Sequence, residues 1–429
     1  MVKVLKKLFY RESVQHFSIV LAEIILTKGI NFILIVLLAR SLGPDLYGEY
    51  SLVNVSMLFL VAFLDFGMEN TAVRYSGKYR QYRESIFVFY TIAKAGIYLI
   101  ILMLILLSPG VFSVLLQKEN SLKYIFLIFS GACIDGFVFI IATYLQSLEK
   151  FLLKLYLNVS VFFCRLLFLL FVMATDPQNV MMLGVAFAVG GAPVLVFGWG
   201  KLLRFFKTFH PHRLPRNIMI ELLHYSKWLI IGSISVNILG RIDFFMVTKF
   251  LSWKEMGIYN SAFQLVAPFT MLSYVFGNVF LPKVSKLTTI FERRNFMRKA
   301  TKAGLALSVF ALTSLFFAKP LVLFLFGQKY AGAVDVLRIL LVSFSISLWA
   351  GFISLVLFSF EKPVYVVLGS YLQLFISVAC MWFLIPRMGI YGAAWSKVIA
   401  QAVVILFTFA CYFKLCHDVE RHGTTTVCV

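Results

Sequence analysis

The chain has 429 residues, of which 61% are hydrophobic and 14% are charged. A water-soluble domain contains about 45–50% apolar and about 25% charged residues, so the composition predicts an integral membrane protein. The net charge of +21 does not indicate nucleic-acid binding, because the basic residues lie between apolar segments and form no soluble basic domain. The apolar runs do not alternate with polar residues, which favours helices over the strands of a barrel.

Twelve apolar segments follow one another along the chain, and each is about long enough to cross the hydrocarbon core of a bilayer. The first is too long for a signal peptide and lacks a small-residue cleavage site, so we expect it to be retained. The sequence therefore predicts an all-α integral membrane protein of about 12 transmembrane helices. The segments are 14–39, 46–68, 86–108, 122–147, 155–174, 181–201, 225–250, 257–281, 303–326, 332–360, 364–386 and 390–415.

Lysine and arginine are distributed unequally over the connecting loops. They are roughly three times as frequent in the loops on the side of the N-terminus as in those on the other side. Positive loops remain in the cytoplasm, so we expect a multi-pass protein of the plasma (inner) membrane with both termini cytoplasmic.

The two halves of the chain share a weak internal repeat at an offset of 209 residues. Since each half contains six predicted spans, the repeat predicts two six-helix lobes of parallel topology, at 1–215 and 216–429. The matched positions are Arg40 with Lys249, Leu42 with Leu251, Gly48 with Gly257 and Tyr50 with Tyr259.

Three stretches mark turns beside predicted spans: "ARSLGPDLYGEYSLVNVSMLFLVAFLDFGMENTAVRY", "LFLFGQKYAGAVDVLRILLVSF" and "FLIPRMGIYGAAWSKVIAQ". Their order and content resemble the polysaccharide-biosynthesis flippases of the multidrug/oligosaccharidyl-lipid/polysaccharide exporter superfamily. The resemblance covers nearly the whole chain.

The resemblance implies a MATE-like fold, with two six-helix lobes around a central cavity. It implies a flippase that moves a lipid-linked (polyprenyl-diphosphate) oligosaccharide from the cytoplasmic to the outer leaflet by alternating access. The expected partners are the bilayer, this substrate and the polysaccharide polymerase machinery. No nucleotide-binding motif is visible, so an H+ or Na+ gradient, or consumption of the product, is the expected energy source.

Ionisable groups at membrane depth are costly unless they face a cavity or a partner, so each is a candidate functional residue. Phosphate oxygens are bound by cations and by neutral hydrogen-bonding groups. We therefore expect substrate binding by Lys28, Asn31, Arg165, Asn237, Arg241 and Lys397. For Lys94, Arg338 and Lys397, the alternative is extension of the ammonium or guanidinium group to the membrane interface.

Three carboxylates within the spans, Glu23, Asp135 and Asp243, are candidates for proton or cation coupling. The alternative for them is a buried pair with a neighbouring cation. The cysteines and histidines form no CxxC or HExxH pattern, so we expect no metal, no cofactor and no catalytic residue.

Two other functions remain open from the sequence. A drug or cation antiporter of the same superfamily would share the fold, although cations outnumber carboxylates within these spans. A membrane glycosyltransferase or glycan ligase would need a substantial outer loop carrying acids or bases, and the predicted outer loops are short.

Overall fold

The computed structural model describes residues 2–108, 121–194, 214–284, 289–358, 360 and 364–422. This part of the chain is helical and contains no β-strand. Nine of its helices are long and apolar enough to cross a membrane. The protein is therefore an all-α, multi-pass membrane protein, as the composition predicts.

The described residues form thirteen α-helices. They are α1 (Val2–Phe63), α2 (Met68–Lys78), α3 (Arg83–Leu107), α4 (Ser121–Ser147), α5 (Phe151–Thr175), α6 (Val180–Val189), α7 (Arg216–Leu239), α8 (Ile242–Phe250), α9 (Trp253–Val284), α10 (Ile290–Phe326), α11 (Ala333–Phe358), α12 (Val364–Met388) and α13 (Ile390–His422).

The predicted spans fall on these helices, although the number twelve is approximate. The first two spans lie on α1, which continues through the predicted turn. The span at 225–250 is divided between α7 and α8. The predicted span at 181–201 begins on α6, and its end at 195–201 lies outside the described residues.

A change of backbone conformation at Gly43 divides α1 into two helical segments. Gly43 has φ 73° and ψ 174°, a left-handed φ that glycine adopts without steric cost. Pro44 follows at the first position of the next segment, where the missing N–H breaks no helical hydrogen bond. The Gly-Pro dipeptide is thus the structural cause of the turn between the first two predicted spans.

A second break separates α1 from α2, at Phe66 (φ 49°) and Gly67 (φ 70°). Asp65 restarts the helix, since its carboxylate accepts the backbone N–H of Glu69 at 3.2 Å. Its carbonyl also accepts the N–H of Met68 at 2.9 Å.

The chain divides into two compact units. The first contains Met1–Leu42 and Glu49–Asn237, and the second contains Gly43–Gly48 and Ile238–Val429. Helix α7 belongs to the first unit, where Ser226 donates to the hydroxyl of Thr71 at 3.2 Å and Glu221 pairs with Lys78 at 2.5 Å. These compact units are not the predicted lobes, and the division into two six-helix lobes at 215/216 stays a prediction.

Large apolar side chains are exposed on the outer surfaces of the helices. On α10, Phe316 is 84% exposed, and Phe317 and Phe324 are exposed as well. Such a surface is unfavourable in water, but it matches the hydrocarbon of a bilayer. These side chains identify α10 as a lipid-facing helix.

In the second unit, the segment Gly43–Gly48 packs backbone to backbone against the start of α9. A methyl group on Gly48 would overlap the carbonyl oxygen of Trp253 and lie 2.9 Å from the nitrogen of Gly257. A methyl group on Gly257 would overlap the carbonyl oxygen of Pro44 and lie 3.1 Å from the nitrogen of Gly48. The contact is reciprocal, and it joins positions that the 209-residue offset pairs.

Candidate functional site

Glu23 lies in the first unit, on α1, and is almost fully buried. Its Oε1 accepts a hydrogen bond from the side-chain amide of Asn158 on α5 at 2.6 Å, and the ammonium of Lys154 is 4.0 Å away. Its Oε2 has no hydrogen-bond partner among the described residues. Glu23 is thus a buried carboxylate with a partner for only one of its two oxygens. Its role as a coupling site stays a prediction.

Asp135 on α4 and Arg165 on α5 form a buried ion pair in the first unit. Arg165 is 2% exposed, and its Nε also donates to the carbonyl of Phe187 at 3.1 Å. The guanidinium lies over the Phe187 ring, 4.2 Å from the centroid. The structure thus gives Arg165 an anionic partner, a carbonyl acceptor and an aromatic contact inside the first unit, and a role in substrate binding remains a prediction.

A second buried ion pair in the first unit joins Lys94 on α3 to Asp65. The ammonium lies 3.1 Å from Asp65 Oδ1, which also accepts the hydroxyl of Tyr90 at 2.5 Å. Lys94 is 0% exposed. The expectation that Lys94 extends to the interface is therefore wrong, because a carboxylate lies within reach inside the unit.

The second unit contains one buried carboxylate with two donors. Asp243 on α8 is fully buried, and its Oδ2 lies 2.7 Å from both the ammonium of Lys397 and the hydroxyl of Tyr259. Its Oδ1 has no hydrogen-bond partner in the described part of the chain. The ion pair holds Lys397 on α13 against α8.

The ammonium of Lys397 is only partly used by this contact. A lysine has three donors, and the described residues provide one anionic acceptor, Asp243. The side chain is 20% exposed, and the ammonium lies 4.9 Å from the centroid of the Phe263 ring. Lys397 can therefore bind a second acceptor without leaving its partner.

That second acceptor would enter a cavity inside the second unit that is lined by both apolar and polar side chains. The cavity has a volume of about 160 Å³ and is bounded by α8, α9, α11, α12 and α13, together with the end of α7. None of its described lining residues carries a carboxylate. The polar side chains that line it are Ser343, Ser347, Gln373, Ser377, Lys397 and Gln401.

A second cavity of about 150 Å³ in the same unit shares Ser347, Gln373 and Gln401 with the first. The sequence analysis missed these neutral residues. A signal was present, since the polar lining residues occur four positions apart on single helices and thus share a face. The pairs are Ser343 with Ser347, Gln373 with Ser377, and Lys397 with Gln401.

The other predicted substrate ligands are not among the described residues that line this cavity. Lys28 is exposed and Asn31 is half-buried, both on α1. Asn237 on α7 donates to the carbonyl of Ala62 at 3.1 Å. Arg241 is half-buried, with its guanidinium over the rings of Phe244 and Phe263. Lys397 is the predicted ligand that the structure places at the cavity.

Within the residues that the structure describes, no three His, Cys, Asp or Glu side chains lie close enough to hold a metal ion. Among the described residues, the buried charged groups named above form four ion pairs, three in the first unit and one in the second.

A family model described as "Polysaccharide biosynthesis protein" matches residues 13–288. This match covers more than half of the chain. A search of curated proteins gives no significant match.

Solved structures with the same fold are transporters and flippases. A structure described as the lipid II flippase MurJ in the inward closed conformation has a TM-score of 0.68 at 13% identity, over 95% of this chain and 90% of that chain. An inward-facing multidrug resistance MATE family transporter of the MOP superfamily has a TM-score of 0.71 at 14% identity, over 94% of this chain and 96% of that chain. A MOP superfamily transporter from Pyrococcus furiosus has a TM-score of 0.60 at 15% identity, over 93% of this chain and 96% of that chain.

Proposed function

Because the chain belongs to the polysaccharide biosynthesis protein family, we propose that it is a flippase for a lipid-linked oligosaccharide. The substrate would be a glycan on a polyprenyl diphosphate, moved from the cytoplasmic to the outer leaflet by alternating access. The lipid tail remains in the bilayer while the head group crosses, so no covalent step is required.

The observation that supports this substrate class is the position of the Lys397 ammonium, at the wall of a cavity whose other polar groups are neutral. An anionic phosphate would be bound by the free donors of Lys397 through charge-assisted hydrogen bonds. A cationic drug would instead need an accessible carboxylate, and the nearest one, Asp243, is buried and paired. The cavity chemistry therefore favours an anionic glycolipid over a drug cation.

We expect the variant Lys397→Met, combined with Asp243→Asn, to remain folded and to lose transport. Removing both charges leaves no unpaired buried ion, whereas Lys397→Met alone strands Asp243. A charge-assisted hydrogen bond contributes about 1.5–3 kcal/mol, so transport should fall at least about tenfold. The measurement is surface display of glycan in a host that lacks its own flippase, with membrane levels determined by blotting.

The matched control is the exposed ion pair Arg338–Asp335 on α11, with a separation of 3.0 Å. Arg338→Met combined with Asp335→Asn removes the same charges from the same unit and should leave display unchanged. Normal display from the Lys397 and Asp243 double variant would assign this pair a structural role and remove the main support for the substrate class.

The orientation in the membrane is a separate proposal, based on the unequal distribution of basic residues. We propose that both termini are cytoplasmic and that the basic segment 282–302 faces the cytoplasm. Single cysteines in a cysteine-free background should react with an impermeant thiol reagent at 176–179 but not at 289–302. Labelling of cysteines at 289–302 in intact cells would show the opposite orientation and contradict the proposal.

A further inference from the structure

Two glutamines face the Lys397 cavity and are not used by the phosphate contact proposed above. The Nε2 of Gln373 on α12 donates to the Oε1 of Gln401 on α13 at 2.5 Å. Both residues line the cavity of about 160 Å³ and also the adjoining cavity of about 150 Å³. The amide pair therefore stands at the junction of the two cavities.

The amide pair keeps unused hydrogen-bonding capacity. Each side-chain amide provides one carbonyl acceptor and two N–H donors. The pair has no other hydrogen bond within the described part of the chain, so Gln373 Oε1 and the amide of Gln401 are available. If the O and N atoms of both side-chain amides are exchanged, the pair still has one unused carbonyl acceptor and one unused NH2 donor.

The second cavity adds further acceptors. The hydroxyls of Ser354, Ser370 and Thr408 donate to carbonyls of their own helices at 2.8, 3.1 and 2.8 Å. A hydroxyl that has donated its proton in this way still offers oxygen lone pairs. The polar side chains of the two cavities are thus neutral and rich in acceptors, apart from Lys397, which lines only the first cavity. This arrangement is complementary to a chain of hydroxyl groups attached to an anion.

We propose that Gln373 and Gln401 bind vicinal hydroxyls of the sugar that adjoins the diphosphate and so select the glycan that is carried. The inference rests on the proposed function. The amide pair borders both cavities, of about 160 and 150 Å³, and a single cavity of about 150 Å³ in another protein accommodates a benzene ring. A site built to hydrogen-bond a hydroxyl rejects an analogue without it, because the buried amide is left unpaired.

The test is a comparison of two probes with purified protein in nanodiscs. The first is farnesyl diphosphate, and the second is farnesyl diphosphate that carries one hexose. Wild-type protein should bind the hexose-bearing probe on the order of tenfold more tightly, as expected for one or two net hydrogen bonds. The double variant Gln373→Met with Gln401→Met should lose this preference and still bind farnesyl diphosphate as before.

Methionine conserves length and flexibility, and removing both amides leaves neither unpaired. Thermal melting of the variants verifies folding. If the double variant does not fold, the alternative is Gln401→Asn. It keeps an amide on a side chain that is one methylene shorter, and it should also reduce the preference for the hexose-bearing probe.

The outcomes separate this inference from the proposed function. Equal preference for the hexose in wild type and in the glutamine variant would overturn the role of the amide pair. Unchanged binding of farnesyl diphosphate by the Lys397→Met, Asp243→Asn variant would overturn the phosphate site instead. If free hexose 1-phosphate bound as tightly as the lipid-linked probe and depended on the glutamines, the amide pair would serve a soluble sugar phosphate, and the flippase proposal would fail.

Discussion

Replacing Gly48 by alanine should destabilise the protein by about 3 kcal/mol, at the upper end of what overpacking usually costs. The new methyl group meets backbone atoms of Trp253 and Gly257, which cannot rotate away as the end of a side chain could. Gly257→Ala should have an effect of the same size, because it meets Pro44 and Gly48 in the same way. The measurement is the melting temperature of the purified protein in detergent.

The control for these variants is Gly29→Ala on the same helix as Gly48. A methyl group at Gly29 meets no atom within 4 Å, and alanine favours a helix over glycine by about 1 kcal/mol. This variant should therefore be as stable as wild type or slightly more so. A Gly48→Ala protein with the melting temperature of Gly29→Ala would show that the reciprocal glycine contact is absent in the membrane protein.

Breaking the ion pair between Asp135 and Arg165 should have an effect of similar or larger size. The variant Arg165→Met leaves Asp135 as an uncompensated buried carboxylate, which costs about 3–5 kcal/mol. Asp135→Asn combined with Arg165→Met removes both charges and should recover most of that stability. The measurement is the yield of monodisperse protein after heating, with the single and double variants treated side by side.

The same double variant tests whether the pair of Asp135 and Arg165 has a function beyond stability. If the pair is only structural, the recovered protein should display glycan normally. If the double variant is stable but inactive, the pair has a function beyond stability, either substrate binding by Arg165 or coupling by Asp135, and Asp135→Asn combined with Arg165→Lys, which keeps the cation, separates the two. A single variant that is as stable as wild type would contradict the ion pair itself.

The helices could be predicted from the sequence because their cause is local. Apolar runs of sufficient length define the spans, and the Gly43-Pro44 dipeptide defines the turn between the first two. The division of the span at 225–250 was not predicted. The Gly240-Arg241 break between α7 and α8 lies within an apolar run, where a single glycine is tolerated in a helix and does not by itself indicate a helix end.

The partners of the charged residues could not be predicted, since they depend on how neighbouring helices rotate about their axes. Asp243 and Lys397 lie on helices far apart in the chain, and only their packing brings the two charges to 2.7 Å. The coupling candidates Glu23, Asp135 and Asp243 each lie beside a cation, the alternative that the sequence had left open for them. Their proton or cation coupling remains a prediction.

Gln373 and Gln401 were missed for a different reason. The search for candidates considered ionisable residues, because a charge in a membrane has a high free-energy cost. Glutamine is neutral and was therefore not considered. The repeated spacing of four residues between polar positions on α11, α12 and α13 was the available signal. In spans of this kind, neutral polar pairs at that spacing merit the same attention as charges.

The pairing of Lys397 with Asp243 also has an electrical consequence. When the cavity is empty, the two charges cancel, so a reorientation of the second unit carries no net charge from this site across the membrane potential. If an anionic diphosphate occupies the cavity, as we propose, moving each uncompensated charge across the full membrane potential changes the free energy by about 2.3 kcal/mol per 100 mV. The contribution of this site to the voltage dependence of a transport cycle would therefore belong to the loaded step, and the site would contribute none to the return of the empty protein.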